Sequence, residues 1–433
     1  MERNIISELL EWRDMKKGRM PLVLYGARQV GKTWLLRHFG RDYYSNTVYI
    51  NFERMPVIAE YFDGDLKPDR IIRFLEEYFH TRIIPESTLL IFDEIQACER
   101  ALTSLKYFAE DVPEYHIAAA GSLLGVAIHR EKYSFPVGKV IMKTLYPMSF
   151  DEFLAATGNA HLVERIRGHY ADMREMPAQT HAELLDLLRK YLFIGGMPAA
   201  VKAYVEELEL VNIPDVQDTI LNSYIADMSK YASYSDSTKI QSAFRSLPAQ
   251  LAKDNRKFQY KLIRKGATSG LFGDSIAWLV MAGVALECDR VTRGVMPVKL
   301  FRDVSSFKLY MADVGLLCAF SGIMPENIAR QDLSDIFKGA LAENYTAQTL
   351  KASGYELHYW TSDSPAAEVD FVIQKAGKVI PIEVKYDQNV HSKSLKHYEK
   401  LYRPGQVLRL STRNFGAGEN GVTAVPLYAA FCI

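Results

Sequence analysis

"PLVLYGARQVGKTWLLRHF", residues 21–39, sets an apolar run, a glycine-bounded loop and an amphipathic helical pattern in immediate succession. The loop fits G-x-x-x-x-G-K-T with Gly26, Gly31, Lys32 and Thr33. Between a strand and a helix, such glycines let backbone amides close around phosphate oxygens, and the helix N-terminus favours the negative charge. Gly26, Ala27, Arg28, Gln29, Val30 and Gly31 are therefore the candidate cradle. Lys32 supplies a cation toward β and γ phosphates, and Thr33 a hydroxyl ligand for Mg²⁺. An incidental glycine-rich turn lacks this pair of flanks, so ATP and Mg²⁺ are the expected cofactors.

Reading onward, "TVYINF", "TLLIFDE" and "HIAAAGS" continue the strand pattern and alternate with helical segments such as "DRIIRFLEEYFH". That alternation predicts an α/β fold built on a parallel sheet. Asp93 and Glu94 stand at the end of an apolar strand. Adjacent carboxylates there repel unless a cation is near, which fits Asp93 in a Mg²⁺ shell and Glu94 polarising an attacking water. Ser122, closing "HIAAAGS", is placed to sense a γ-phosphate; ordinary turn chemistry is the competing reading.

At 433 residues the chain has room for several domains, each able to bury a core. Its 52 basic and 52 acidic residues cancel, which argues against a globally charged nucleic-acid coat. Locally the balance shifts. From Lys253 to Lys308 there are 11 Lys and Arg against 5 Asp and Glu, a surplus of 6, so DNA is an expected partner and a merely basic surface domain the alternative. The four cysteines form no C-x-x-C pair, and the longest apolar run, "IAWLVMAGVAL", is too short for a bilayer. A cytoplasmic protein without a membrane partner is expected, with a protein partner or homo-oligomer also open.

Beyond residue 150, "SFDEFLAATG" and "HAELLDLLRKYLFIGG" carry helical periodicity and no strand pattern to about residue 250. "SGLFGDSIAWLVMAGVALECDRV" reads as a helix, followed by strands "PVKLFR" and "SFKLYMAD", an order compatible with a winged helix. A last unit runs from helix "KGALAENYTAQTLKASG" through strand "YELHYW" to "AEVDFVIQKAGKVIPIEVK", a further helix and one last strand.

In this last unit, Ala376 and Gly377 at a hairpin tip place Asp370 opposite Glu383, with Lys385 on the same face. Val369, Phe371 and Ile373 then form the core face. Opposed like charges are unfavourable unless a cation intervenes, and Mg²⁺ suits two carboxylates with Lys385 orienting or deprotonating a bound water. Glu343 lies on a helix stripe with Ala340, Ala347 and Leu350 and needs a partner. Competing readings are a solvated edge hairpin and a nuclease-like fold kept for binding. His391 and His397 read as surface helix residues.

"GARQVGKT", "LLIFDEIQ", "AAGSLLG" and "LYPMSFDEF" follow one another as in AAA-type P-loop ATPases, which this sequence resembles. The likeness extends to a prokaryotic family with a helical lid carrying "GGMP" (Gly195 to Pro198), a winged helix and a restriction-endonuclease-like C-terminal domain. It implies an ATPase domain over residues 1–158, a helical lid over 159–250, a winged-helix-like domain over 251–330 and a nuclease-like domain over 336–433. It implies the roles just given for Lys32, Thr33, Asp93, Glu94 and Ser122. Glu343, Asp370, Glu383 and Lys385 resemble the helix acid, first metal acid and E-x-K pair of the PD-(D/E)xK nucleases. Lys139 stands where many relatives carry arginine; Arg130 is the candidate substitute. The expected function is an ATPase acting on DNA through a metal-dependent nuclease-like module. The alternative is an ATP-controlled switch that binds DNA or protein without cutting.

Overall fold

The computed structural model describes residues 1–121, 135–230, 234–253, 256–330, 332–362, 367–386, 393–417 and 421–433. They fall into two compact units: Glu2–Tyr146 with Met281–Gly283, and Met1, Pro147–Val280 and Val284–Ile433.

In the first unit five parallel strands form one sheet. They are β1 (Leu22–Tyr25), β2 (Asn46–Asn51), β3 (Thr88–Asp93), β4 (His116–Ala120) and β5 (Ile141–Thr144), in the order β2-β3-β4-β1-β5. β1, β3 and β4 carry near-continuous apolar runs because central parallel strands are covered on both faces. β5 has no such run. As an edge strand it alternates half-buried Ile141 and Lys143 with exposed Met142 and Thr144, so its apolar signal is weak.

Val23, Val48, Ile50, Leu90, Phe92, Ile117 and Ala119 pack with helices Pro68–Phe79 and Glu99–Asp111 in one core. Phe52, Phe62 and Phe92 meet edge to face with ring centroids 5.5, 5.6 and 5.9 Å apart. Each such pair contributes ~0.5–1.5 kcal/mol beyond its burial. This packing holds the ends of β1 and β3 in place. The helix Lys32–Tyr43 buries Leu35, Leu36 and Phe39, leaving its first turn to the loop before it.

The second unit begins with helices and no strands among its described residues up to Ala285. The helix Phe150–Ala156 starts at Ser149, whose amide donates to Glu152 at 3.0 Å. The helix Ala178–Ile194 ends at Gly195 (φ 77°), as the sequence pattern predicts. Gly196 explains the second glycine. A Cβ there would lie 2.0 Å from the Met148 carbonyl oxygen, and the Met148 amide donates to the Gly196 carbonyl at 2.7 Å. The Gly196 amide in turn donates to buried Asp313 at 2.6 Å, and Asp313 caps the helix Val314–Phe320 by accepting from Leu316 at 2.9 Å. Burial pushes the Asp313 carboxyl up to about 6, against the lowering effect of its backbone donors.

The helix expected over 269–291 stops at Met281, and Ala285–Val291 is instead strand β6. Gly283 (φ 72°) breaks the helix, and Ala285–Val291, with Ala285, Leu286, Cys288 and Val291 buried and its charged residues half-buried, pairs as a half-covered strand. "PVKLFR" is mostly a 3-10 turn, Val298–Phe301, before strand β7 (Arg302–Met311). The β6–β7 hairpin is joined to β8 (His358–Thr361) and β9 (Glu368–Val369) in a four-stranded sheet, order β7-β6-β8-β9, with β6 and β8 parallel. The helix-then-hairpin order is present, but the hairpin is not free-standing.

β10 (Phe371–Lys375) and β11 (Lys378–Val384) pair antiparallel, Phe371 with Ile382 and Lys375 with Lys378, around a two-residue tip in which Ala376 (φ 46°) and Gly377 (φ 75°) are both left-handed. That is the expected register. Three strands, not one, complete the sheet: β12 (Val407–Ser411), β13 (Gly416–Ala417) and β14 (Val422–Pro426), in the order β10-β11-β12-β14-β13. The simple two-face alternation also fails. The chain bends at Asp370, so Val369 and Val372 share one core with Trp360 and Tyr398 instead of pointing to opposite layers.

Candidate functional site

The loop from Gly26 to Gly31 joins β1 to the helix that begins at Lys32. Gly26 (φ 140°) passes so close to the β5 end that a Cβ would lie 2.2 Å from the Leu145 carbonyl oxygen, and Gly31 (φ 96°) makes the left-handed entry to the helix. Ala27 and Val30 are buried, whereas Arg28 is half-buried and Gln29 (φ 65°) exposed. Arg3, which sequence reasoning missed, donates to the Val30 carbonyl at 3.1 Å and to the Tyr146 carbonyl at 2.6 Å, tying the loop to the strand-end chain.

Lys32 is buried and donates to the Gly26 and Ala27 carbonyls at 2.8 and 2.7 Å. Burial lowers its pKa to about 8, against the raising effect of Glu94 and Asp93. The Thr33 hydroxyl donates to Asp93 Oδ2 at 2.9 Å, and the Tyr49 hydroxyl donates to the same oxygen at 2.7 Å. Asp93 Oδ1 accepts from the Glu94 amide at 3.1 Å. Glu94 has a left-handed backbone (φ 49°), costing ~1–2 kcal/mol for a residue with a Cβ. The turn carries its carboxylate to Gln96, whose amide donates at 2.6 Å. A hydroxyl and a carboxylate in contact form the hard-oxygen pair that suits Mg²⁺, so the residues fit that ion.

Tyr49 and Gln96 carry no motif signal. They hold the two carboxylates only because β2 lies beside β3 and because the chain turns after Asp93. Arg37 stacks over Tyr49, its guanidinium 5.0 Å from the ring centroid. Ser122 and Arg130 lie outside the described residues, as does His391. Lys139 forms an ion pair with Glu110 at 2.9 Å.

Residues 18–154 match the family model described as "AAA domain". This stretch is an AAA-type P-loop domain. Residues 185–327 and 338–430 match two further models, each described as a domain of unknown function, DUF8612 and DUF4143. No curated protein matches the chain. Among solved structures, the chain is similar to a Walker-type ATPase of Pyrococcus abyssi at 14% identity, covering 74% of this chain and 95% of that one, with a TM-score of 0.47. It is similar to the ORC1 protein of Aeropyrum pernix, solved in complex with DNA, at 14% identity, 76% and 95% coverage and a TM-score of 0.28. The ORC2 protein of Aeropyrum pernix gives 12%, 76%, 92% and 0.33. No helix among the described residues is long and apolar enough to cross a membrane.

The C-terminal acids are arranged differently from an open metal site. Glu343, on the helix Asp335–Ala352, accepts from Lys308 at 2.9 Å and from the Tyr310 hydroxyl on one oxygen, and from Arg256 on the other. Burial alone would raise its pKa, but Arg256 and Lys308 outweigh it and hold the carboxyl well below its ordinary range. Asp370 is buried, its Oδ2 accepting from the Val384 amide at 2.8 Å, which replaces a ladder bond and ends the hairpin at Phe371 and Ile382. Burial and then Glu343 push its pKa up. Glu383 pairs with Lys385 at 2.8 Å. Lys385 is raised on balance: burial opposes its charge, but Asp370 and Glu383 favour it.

Glu343, Asp370 and Glu383 are the expected metal ligands. Among the described residues, no group of three or more His, Cys, Asp or Glu side chains is placed to hold one metal ion. Glu343 already accepts from two donors on one oxygen and one on the other.

Lys308, Tyr310 and Arg256 are absent from the sequence-derived site, as is Glu368, which pairs with Lys308 at 2.6 Å. No local signal marks them: in "SFKLYMAD", Ser306, Lys308 and Tyr310 alternate with apolar Phe307, Leu309 and Met311, so the pattern reads the lysine face as the solvated one. The basic surplus is also partly neutralised by ion pairs. Besides Arg256 and Lys308, Arg290 pairs with Asp303 at 3.0 Å, Arg302 with Asp289 at 2.7 Å and Lys299 with Glu356 at 2.6 Å. The other six are all exposed: Lys253, Lys257, Lys261, Arg264, Lys265 and Arg293.

Proposed function

We propose that the chain binds Mg·ATP in the Gly26–Thr33 loop, hydrolyses it with Asp93 and Glu94, and uses the cycle to control DNA contact by the domains that follow. The carrying observation is the convergence of Lys32, Thr33, Asp93 and Glu94 at the ends of β1 and β3. Lys32 exchanges the Gly26 and Ala27 carbonyls for β and γ phosphate oxygens. Bound Mg²⁺ supplies charge neutralisation between those phosphates. Thr33 and Asp93 orient its coordination shell, and Glu94, steadied by Gln96, accepts a proton as water attacks the γ-phosphorus. The β–γ bridging bond then breaks to release ADP and phosphate. Ser122 completes the reading as the γ-phosphate sensor.

In the same proposal residues 1–158 form the ATPase domain, 159–250 a helical lid, 251–330 a winged-helix-like domain and 336–433 a nuclease-like domain. The exposed cations between Lys257 and Lys265 provide the DNA contact. A fluorescent duplex titrated in ATP and in ADP tests both halves. Affinity is expected to differ between nucleotides in the wild type and not in Lys32→Ala. Lys261→Glu with Lys265→Glu is expected to weaken binding and flatten the salt dependence by about two phosphate contacts. Equal affinity in all nucleotide states, with turnover intact, would reject DNA control while leaving the ATPase assignment standing. The second reading, a non-cutting switch that binds DNA or protein, is favoured by the donors already held by Glu343.

A further inference from the structure

The acids of the C-terminal domain converge on a lysine. Lys308 is 0% exposed, its ammonium 2.9 Å from Glu343 Oε1 and 2.6 Å from Glu368 Oε1. Its third side faces the Tyr359 ring, 4.9 Å from the centroid. Arg256 holds the second oxygen of Glu343, and the Tyr310 hydroxyl shares the first. Nothing in this arrangement is loose: β7 delivers Lys308 and Tyr310, the helix Asp335–Ala352 delivers Glu343, and β9 delivers Glu368.

A divalent ion at Glu343 would have to displace Lys308 or Tyr310 from one oxygen or share the other with Arg256, and would stand beside two positive charges inside a buried site. Carboxylate oxygens do suit Mg²⁺ or Mn²⁺, but only when no resident cation competes for them. The charge count agrees. Glu343, Glu368, Asp370 and Glu383 face Lys308, Arg256 and Lys385, four carboxylates against three cations. At most one negative charge is left over, half of what a single divalent ion brings.

We propose that Lys308, backed by Arg256, is the resident cation of this cluster in place of a divalent metal, and that the domain therefore cleaves no phosphodiester with a metal held at Glu343, Glu368 and Asp370. The network is instead a fixed internal clamp that joins β7 and β9 to the helix Asp335–Ala352. The claim goes beyond the ATPase reading and stands on separate residues, so ATP turnover measured in the same preparation reports independently on the nucleotide site.

The test is a Mn²⁺ titration of the full chain, stripped of nucleotide and metal, followed by the free-Mn²⁺ electron paramagnetic resonance signal. Asp93→Ala removes any contribution from the nucleotide site. No Mn²⁺ bound below millimolar concentration in Asp93→Ala is the expected result. One Mn²⁺ per chain that persists in Asp93→Ala and disappears when Asp370→Asn is added would overturn the proposal. Lys308→Met provides the converse arm. In the Asp93→Ala background, removing the resident cation is expected to raise Mn²⁺ affinity at least tenfold and to make melting temperature rise with Mn²⁺. A folded Lys308→Met variant with unchanged Mn²⁺ affinity would also count against the proposal. If that variant does not fold, the Asp93→Ala titration decides alone.

Discussion

The Thr33 hydroxyl donates to Asp93 Oδ2 at 2.9 Å, so the phosphate loop after β1 and the carboxylate at the end of β3 touch although β4 lies between their strands. Two residues from distant parts of the chain, both assigned to Mg²⁺ in the proposed function, are thus in direct contact. Thr33→Ala is expected to lower Mg²⁺-dependent ATP affinity by at least about tenfold, ~1.4 kcal/mol, while leaving metal-free binding nearly unchanged. Thr33→Ser should restore most of it. Calorimetry with and without Mg²⁺ makes the comparison, and equal losses in both conditions would remove Thr33 from the Mg²⁺ shell.

In the proposed function Glu94 has a different job from its neighbour. Its strained turn and its bond from Gln96 aim one carboxylate without tying it to Asp93. Glu94→Gln should slow ATP turnover by about 10²–10⁴-fold, the usual contribution of a positioned base, with ATP binding preserved. Single-turnover assays beside equilibrium binding separate the two effects. Turnover retained at the wild-type rate would exclude Glu94 as the base.

Lys32 makes nucleotide binding depend on pH. Free, it titrates near 8 because burial disfavours its charge; phosphate oxygens favour the charge and raise that value in the complex. Above about pH 8 binding must therefore take up a proton, and affinity should fall by up to about tenfold per pH unit. Between about 8 and the unfolded value of 10.5 the unfolded chain holds more protons, so the nucleotide-free protein gains stability from this group as pH rises. Calorimetry in buffers of different ionisation enthalpy reads the proton uptake. Lys32→Arg, charged throughout, should abolish the pH dependence if it binds at all.

The stability of the C-terminal domain should depend on Lys308. Lys308→Met leaves buried Glu343 and half-buried Glu368 with one fewer cation and is expected to cost about 3–5 kcal/mol in urea unfolding. Adding Glu343→Gln should cost less than the sum of the two single changes, by about 0.5–3 kcal/mol, because the residues act as a pair. Strict additivity would mean that they are not energetically linked.

Local patterns along the chain determined much of this protein. The phosphate loop is contiguous, with its strand, glycines and helix all within residues 21–39, so no long-range information is needed to read it. The β10–β11 register is likewise local, because a two-residue turn at Ala376 and Gly377 leaves one pairing for the residues on either side. What each charged side chain meets is a different matter. Strand β5 is an edge with a weak apolar signal, β6 pairs with β8 across more than sixty intervening residues, roughly the span that no periodicity can bridge, and Tyr49 reaches Asp93 only because β2 lies against β3. Most of all, Glu343 reads as an unpartnered carboxylate until Lys308 and Arg256 are brought in from an earlier segment. Sequence spacing assigns a carboxylate to a face, but only tertiary packing decides whether that face meets water, a metal ion or the protein's own lysine.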